Sequence, residues 1–190
     1  MDDPDLTPRQ RKWFDSVRAG LERDTGKDLA AWVVIARTCP ETGHRARVKW
    51  FKETHGLMQN RASWVLGEAF GSGSAWSDPN TLIDALWTDA GSRAIYEAVD
   101  ARARALTDMV RSARKGYTAW SRNVQFAAAR PVKGGGARLG LAVSATADPS
   151  LEARGRESWS ERLASSVTLD SPEAVERNLD TLLRLAWEKA

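Results

Sequence analysis

The residues best suited to chemistry form a basic and aromatic stretch in the second half of the chain. Between Arg102 and Arg138, nine Lys and Arg residues accompany a single acid, Asp108. Tyr117 and Trp120 lie among these charges. Guanidinium groups bind carboxylates and phosphates, and aromatic rings stack on flat ligands or on bases. The stretch is therefore a candidate site for an anionic or aromatic ligand.

The charge of the whole chain narrows the choice of ligand. Residues 1–90 hold 12 Lys and Arg against 13 Asp and Glu, which leaves 16 against 12 in the last hundred residues and a net charge of +3. This excess is small for a dedicated nucleic-acid-binding protein. A nucleic-acid surface at 102–138 and an ordinary solvated face are both open interpretations.

Tryptophan is unusually abundant, since it accounts for nine of the fifteen aromatic residues. Its indole N–H needs a partner and its ring is seldom fully buried, so some of these residues should line a groove or an interface. Core packing is the ordinary role for most of them. Trp50 and Trp64, in the first half, are candidates for a groove together with Trp120.

The stretch PVKGGGAR at 131–138 raises the question of a phosphate-binding loop. Such a loop places its glycines between a strand and the N-terminus of a helix, whose free N–H groups hold the anion. Here a strand-like segment, ARLGLAVS, follows the glycines. We therefore predict that Gly134 to Gly136 form a hairpin turn, with Lys133 and Arg138 beside it.

Neither catalysis nor metal binding has a convincing set of residues. Glu41 and His44 have a spacing that can hold a metal on a helix, but no third ligand is evident. His55 precedes Gly56 and is better suited to a helix C-terminus. Cys39 has no partner thiol and fits a small buried residue. The sequence thus indicates no catalytic residue, no metal and no cofactor.

The location of the protein follows from the hydropathy and the cysteine count. The longest apolar stretch, AAWVVIA at 30–36, is too short to span a bilayer, and the chain starts with Met-Asp-Asp-Pro rather than with a basic and apolar signal. One cysteine cannot form an internal disulfide. We expect a cytoplasmic protein without a membrane partner.

Four short helices should precede the candidate site and form a small bundle. Thr7 is a suitable N-cap before Pro8, and apolar residues at helical spacing follow up to Gly26. Further helices are predicted at 28–38, 41–55 and 60–69. The segment GSGSAWSDP is rich in Gly and Ser. We therefore predict a helical domain at 1–71, a linker at 72–80 and a second domain at 81–190.

The second domain should position the candidate site on an antiparallel sheet. A helix is predicted at 92–113, and strands at 117–122, 124–132, 137–144 and 161–169. A last helix starts at Ser171-Pro172-Glu173. The fold class is therefore α+β, with a helical bundle followed by a four-stranded antiparallel sheet flanked by helices.

Two stretches resemble known families of unknown function. Residues 25–70 resemble domain of unknown function 4287, on the matching positions Thr25, Gly26, Lys27, Trp50, Phe51, Lys52, His55, Gly56, Leu57 and Ala62. Residues from about 90 to 189 resemble domain of unknown function 5655, on the matching positions Lys115, Tyr117, Arg122, Phe126, Ala127, Pro131, Leu139, Gly140 and Leu141. The resemblance implies a fold and domain boundaries, and it implies no catalytic residue.

These observations favour a non-enzymatic binding protein with a Trp- and Arg-lined cleft for an aromatic or anionic small molecule, acting by sequestration or sensing. Nucleic-acid binding by the basic strip at 102–138 is the alternative, and an adaptor that binds another protein is a second one. Strand alternation places Trp120 and Arg122 on one face of the sheet and Tyr117 on the other. The candidate ligand contacts are Tyr117, Trp120, Arg122, Arg130 and Arg138, with Trp50 and Trp64 from the helical domain.

Overall fold

The structure, a computed structural model, describes residues 6–71, 79–176 and 179–190. The chain divides into two compact units, a helical unit at residues 11–77 and a sheet unit that comprises residues 78–190 and residues 1–10. Most of the predicted linker, residues 72–78, lies outside the described residues. The last two residues of that prediction, Pro79 and Asn80, begin a helix.

The four predicted helices of the first unit are confirmed. The third helix begins three residues later than the predicted residue 41, because Gly43 takes the extended N-cap conformation. The bounds are α1 Pro8–Thr25, α2 Leu29–Arg37, α3 His44–His55 and α4 Gln59–Phe70.

Local hydrogen bonds explain where these helices begin and end. Thr7 and Gln10 form a reciprocal capping box at the start of α1, with N···O distances of 2.8 and 3.2 Å. The carboxylate of Asp28 caps α2 by accepting from the N–H of Ala31. Gly56 ends α3 in the left-handed conformation, with φ of 66°, which glycine adopts at little cost.

The helical unit has its own apolar core. Trp32 packs against Phe51, with ring centroids 6.0 Å apart, and its indole N–H donates to Thr25 Oγ1 at 2.9 Å. This bond satisfies the polar end of a buried Trp. The fully or nearly buried members of this core are Leu21, Trp32, Ala36, Phe51, Leu57, Ala62, Val65 and Leu66.

The sheet of the second unit has six antiparallel strands, so the α+β class is correct and the predicted number of four is wrong. The strand order is β1-β2-β3-β4-β6-β5. The strands are β1 Val110–Arg114, β2 Tyr117–Ser121, β3 Gln125–Pro131, β4 Ala137–Leu141, β5 Glu152–Ala153 and β6 Ser165–Leu169, and the helices of this unit are α5 Pro79–Leu86, α6 Ala90–Arg104 and α7 Leu179–Glu188.

The additional strand β1 corrects the predicted helix at 92–113. Helix α6 ends at Arg104, and Asp108 has a positive φ of 54° that turns the chain away from the helical path. Val110 then pairs with Ser121, and the strand continues to Arg114 opposite Tyr117. Sheet pairing thus outweighs the helical spacing of the apolar residues in this segment.

The glycine stretch forms the predicted hairpin turn between β3 and β4. Gly134 and Gly135 have φ of 92° and 84°, and the N–H of Val132 donates to the carbonyl of Gly136 at 3.0 Å. The turn fixes the register of the two strands, in which Arg130 lies opposite Arg138.

The two faces of the sheet have different coverings. The face that we name the helix face packs against α6 and α7 and forms the main core of the unit, which includes Trp120 and Phe126. The opposite face, named the loop face, is partly covered by residues 154–164, here called the covering loop. None of the helices in the described ranges combines the length and apolar character needed to cross a bilayer.

The last helix begins later than predicted. Residues 172–176 form a 3₁₀ helix, and α7 starts at Leu179, while residues 177 and 178 lie outside the described residues. One side of α7 faces the core through Leu182, Leu183 and Ala186. The apolar side of α7 therefore packs on the helix face of the sheet.

Candidate functional site

Arg130 and Arg138 lie side by side on the loop face. They are direct register partners on β3 and β4, while their neighbours Ala129 and Leu139 point to the core on the helix face. Adjacent residues of a strand point to opposite faces, so both arginines project toward the covering loop. Two like charges at this separation repel each other unless an anion lies between them.

The carboxylate of Glu157 in the covering loop supplies that anion. It accepts from Nε and Nη2 of Arg130 at 2.8 and 3.3 Å, and its Oε1 lies 3.9 Å from Nε of Arg138. The side chain of Glu157 is only 11% exposed. Arg130 therefore binds the partly desolvated carboxylate through charge-assisted hydrogen bonds, and Arg138 adds an ion pair at a longer distance.

Arg138 is fixed by two further acceptors. Its Nη1 donates to Thr168 Oγ1 and its Nη2 donates to Glu152 Oε2, each at 2.7 Å. Thr168 is its register partner on β6, and Glu152 lies on β5 at the edge of the sheet. These contacts orient the guanidinium so that its Nε faces the Glu157 carboxylate.

Aromatic residues lie beside the arginine pair on the loop face. Tyr117 and Trp159 meet edge to face, with ring centroids 6.3 Å apart. Trp159 is buried against Ala119, Ala128 and the α-carbon of Gly140, where a larger residue would collide with its ring. The loop face of the sheet therefore carries two aromatic side chains and two guanidinium groups.

Among the described residues, the buried polar atoms of this face that lack a hydrogen-bond partner include Nε1 of Trp159 and Oγ of Ser166. Ser166 is the register partner of Gly140, the residue on which the Trp159 indole lies. Both groups therefore border the same small region, and buried polar groups without partners are uncommon.

Trp120 lies on the helix face and has no exposed surface. Its indole N–H donates to Asp100 Oδ1 at 2.8 Å, and its ring stacks with Tyr96 at 6.2 Å. Trp87 extends this stack on the other side of Tyr96, at 5.0 Å. A ligand would reach Trp120 only by displacing these neighbours, and the proposed ligand contact of Trp120 stays a prediction.

Asp100 is the centre of a polar network under this stack. Besides Trp120, it accepts from Arg104 Nε at 2.7 Å and from Arg111 Nη1 at 3.1 Å. Arg111 also donates to the hydroxyl of Tyr96 at 2.8 Å. Burial, together with the charge of Asp100, raises the pKa of the Tyr96 phenol.

Arg122 lies apart from the arginine pair. Its guanidinium sits over the ring of Trp187 in α7, 4.1 Å from the centroid, in a cation–π contact. The indole N–H of Trp187 donates to the carbonyl of Thr107 at 2.9 Å. Arg122 therefore contacts the C-terminal helix, and its role in binding a ligand stays a prediction.

Most charges of the basic strip at 102–138 are paired within the sheet unit. Arg102 lies 3.1 Å from Asp180, and Arg104 and Arg111 bind Asp100. The arginine pair binds Glu152 and Glu157. Acids outside the strip, Asp100 among them, thus reduce the positive field that the strip shows in the linear sequence.

Trp50 and Trp64 belong to the helical unit and have partners there. Trp50 contacts His55 edge to face, with centroids 4.7 Å apart, and the guanidinium of Arg18 lies 5.7 Å from the ring of Trp64. Both side chains are half-buried. Their proposed part in a ligand cleft stays a prediction.

The family of the chain follows from its second unit. Residues 83–190 match the model of a domain of unknown function, DUF5655, over more than half of the 190 residues. The chain belongs to the DUF5655 family. A second model, the domain of unknown function DUF4287, matches residues 13–69. The predicted resemblance to both families, in this order, is confirmed, and both matches begin earlier than residues 25 and 90.

The other comparisons give no neighbour for this DUF5655 protein. The search of curated proteins and the search of solved structures found no match. Among the described residues of the DUF5655 protein, no group of three or more His, Cys, Asp or Glu side chains is placed to hold a metal ion. Cys39 is a free, half-buried thiol.

Sequence reasoning missed the acidic and loop residues that complete the DUF5655 loop face. Glu157, Trp159 and Thr168 are far from the arginine pair in sequence, and Glu157 lies in a segment without a strand or helix pattern. The predicted hairpin was one available signal for such an acid. It places Arg130 opposite Arg138, and two like charges in this position are destabilising unless an acid lies nearby. That signal predicts an acid without saying which one.

Proposed function

We propose that this chain is a non-enzymatic binding protein whose DUF5655 unit holds a small organic anion at the Arg130–Arg138 pair. The observation that supports the proposal is the pair of hydrogen bonds that Arg130 donates to the Glu157 carboxylate, with Arg138 beside it. A planar guanidinium matches a carboxylate or a phosphate in geometry and charge. A ligand anion of this kind would take the position that Glu157 occupies.

The neighbouring aromatic residues favour a ligand with a flat apolar part. Tyr117 is half-buried beside Trp159 and offers a ring edge or face at the border of the arginine pair. The unpartnered Nε1 of Trp159 and Oγ of Ser166 offer hydrogen bonds to a polar substituent. The favoured ligand is therefore an aromatic carboxylate or an aromatic phosphate, bound for sequestration or sensing.

The competing explanation is that Glu157 has only a structural role, as a clasp: its ion pair holds the covering loop on the sheet. The two explanations differ in what happens when Glu157 loses its charge. If the carboxylate competes with a ligand anion, Glu157→Gln frees the arginine pair and strengthens binding. If it is a clasp alone, the same substitution loosens the loop and creates no affinity for anions.

Isothermal calorimetry with three matched probes tests the proposal. The probes are 1-naphthoate, 1-naphthyl phosphate and neutral 1-naphthamide, each titrated into the full chain. We expect the two anions to bind and the amide to bind much more weakly. Arg130→Gln or Arg138→Gln should weaken anion binding by about tenfold or more, because a charge-assisted hydrogen bond contributes about 1.5–3 kcal/mol.

Arg93→Gln is the matched control. Arg93 also binds two carboxylates, Asp84 and Glu97, each at 2.8 Å, and it lies on α6. Its loss should leave anion binding unchanged. Equal affinity for the anions and the amide, or no anion binding by Glu157→Gln, contradicts the proposal.

The nucleic-acid alternative has a separate outcome in the same assay. Binding of short oligonucleotides that is lost in Lys115→Gln and Lys133→Gln, both exposed residues of the basic strip, would favour nucleic-acid binding by 102–138. The internal pairing of most strip charges speaks for the small anion instead.

A further inference from the structure

The helical unit carries the excess positive charge of the chain. Residues 11–77 hold 11 Lys and Arg against 7 Asp and Glu, whereas residues 1–10 and 78–190 together hold 17 against 18. The sequence analysis placed the positive excess in the second half of the chain. When the charges are counted by structural unit, the excess lies in the helical unit instead. The helical unit is the more attractive of the two for a polyanion.

Helix α3 concentrates this charge on an exposed side. Arg45, Lys49 and Lys52 follow one another at spacings of four and three residues, so they lie along one side of the helix, and all three are exposed. The helix has one acid, Glu53, which lies 3.8 Å from Lys49 with both side chains mostly in solvent. An exposed pair of this kind neutralises little.

The connection from α3 to α4 is a short turn that begins with glycine. Only residues 56–58 separate the two helices, and Gly56 takes the left-handed conformation. Leu57 in the turn is buried in the core of the unit, together with Phe51 of α3 and Leu66 of α4. A three-residue, glycine-containing turn between two helices that share a core matches the turn length and the glycine of a helix-turn-helix unit.

The first turn of α4 presents amides rather than charges. Gln59 and Asn60 are exposed, and Ser63 is half-exposed one turn later. Amide side chains can donate to and accept from the edges of base pairs, as Asn and Gln do with adenine. The neighbouring Arg61 is paired with Asp24 and so secures α4 to α1.

We propose that the α3–α4 unit binds duplex DNA. Arg45, Lys49 and Lys52 contact the phosphate backbone, and Gln59 and Asn60 face base edges in the major groove. This division matches helix-turn-helix proteins, in which the first helix crosses the backbone and the second enters the groove. Duplex RNA fits less well, because its major groove is too deep and narrow for side chains to read.

Fluorescence anisotropy of labelled duplex DNA with the full chain tests the phosphate contacts. We expect binding that weakens linearly in log K with log salt concentration. The double substitution K49Q/K52Q should weaken binding by about tenfold at low salt and reduce the salt slope by about 2, since two phosphate contacts are lost. The matched control R9Q/K12Q removes two exposed charges of α1 and should change the slope little.

Three results would overturn the proposal. The first is absence of DNA binding at low salt, and the second is an equal loss of binding in K49Q/K52Q and R9Q/K12Q. The third is equal affinity for duplex RNA or heparin, which would indicate general attraction of polyanions. All these substitutions are on the surface, and circular dichroism of each variant checks that the helices remain.

Selection from a random duplex pool tests the base contacts. We expect the wild-type chain to enrich a preferred sequence, and we expect Q59A/N60A to bind the unselected pool with little change while losing that enrichment. No enrichment by the wild type would overturn base reading by α4. This proposal uses residues of the helical unit only, so it stands or falls independently of the anion site on the sheet.

Discussion

The indole of Trp159 lies directly on Gly140. A Cβ at position 140 would fall 2.8 Å from Cε2 and 2.9 Å from Cζ2 and Nε1 of that ring. Real Cβ atoms do not approach other atoms so closely, so only glycine lets the covering loop rest on β4 at this point. The contact holds Trp159 beside the Arg130–Arg138 pair.

Gly140→Ala should displace the Trp159 ring and cost about 1–3 kcal/mol of unfolding free energy, the usual range for overpacking. Urea unfolding measures the cost, and quenching of Trp fluorescence by acrylamide measures the displacement. Gly116→Ala is the control, because a Cβ there meets no atom within 4 Å. Equal stability of the two variants would contradict the close contact.

Asp100→Ala should destabilise the sheet unit by about 3 kcal/mol, because it leaves Arg111 and the Trp120 indole N–H without their buried acceptor. Thermal unfolding measures the loss. Asp84→Ala removes a carboxylate that is 68% exposed and bound to Arg93, so its cost should stay below about 1 kcal/mol. Similar losses in the two variants would show that the Asp100 network contributes little.

Asp24 should make the helical unit sensitive to acid. A hydrogen bond from Arg23, and then one from Arg61, lower the pKa of Asp24 from 3.8 to about 2. A carboxylate whose pKa is lowered in the folded state stabilises the fold above its unfolded pKa and ceases to do so as pH falls through the folded value. The advantage of wild type over Asp24→Asn should therefore be full above about pH 4 and vanish near pH 2.

Thermal melts across this pH range measure that advantage, and NMR titration of the Asp24 carboxyl measures its pKa directly. Arg23→Gln and Arg61→Gln should each raise the pKa. An unchanged titration in both variants would show that these hydrogen bonds do not cause the shift.

The sheet unit should lose stability at alkaline pH because of Tyr96. Its pKa is raised, first by burial and then by the charge of Asp100. A phenol whose pKa is raised on folding stabilises the fold below its unfolded pKa of about 10 and ceases to do so as pH rises through the folded value. Tyr96→Phe should remove this part of the alkaline loss.

The titration of Tyr96 can be read alone, because the chain has only two tyrosines. In Tyr117→Phe, the near-ultraviolet absorbance of phenolate reports Tyr96 only. We expect a transition above the ordinary range of tyrosine, and a transition at the ordinary pKa would rule out a buried hydroxyl.

The parts of the fold with strong local signals could be predicted from the sequence. The caps at Thr7 and Asp28 and the left-handed Gly56 act within one helical turn, so the helix ends follow from neighbouring residues. The Gly134–Gly136 hairpin follows from the conformational freedom of glycine. Strand β1 did not follow, because Leu106 and Val110 keep a helical spacing, and only pairing with β2 makes the segment a strand.

The candidate site could be predicted only in part. The hairpin predicts that Arg130 and Arg138 are neighbours, since register depends on the turn. The position of Glu157 depends on the path of the covering loop, which rests on the Trp159 contact with Gly140 and has no local pattern. Trp120 is a buried member of the core because β2 turns that residue toward α6.

Strand β3 also has a consequence for how the sheet unit opens. It is hydrogen-bonded to β2 and β4 on its two sides, and residues 126–129 are buried on both faces. Their amide protons can exchange with solvent only when the sheet comes apart, so β3 should exchange last and report global unfolding. The two-residue β5 sits at the edge and should exchange early, so the region around Glu152 should open well before β3 does.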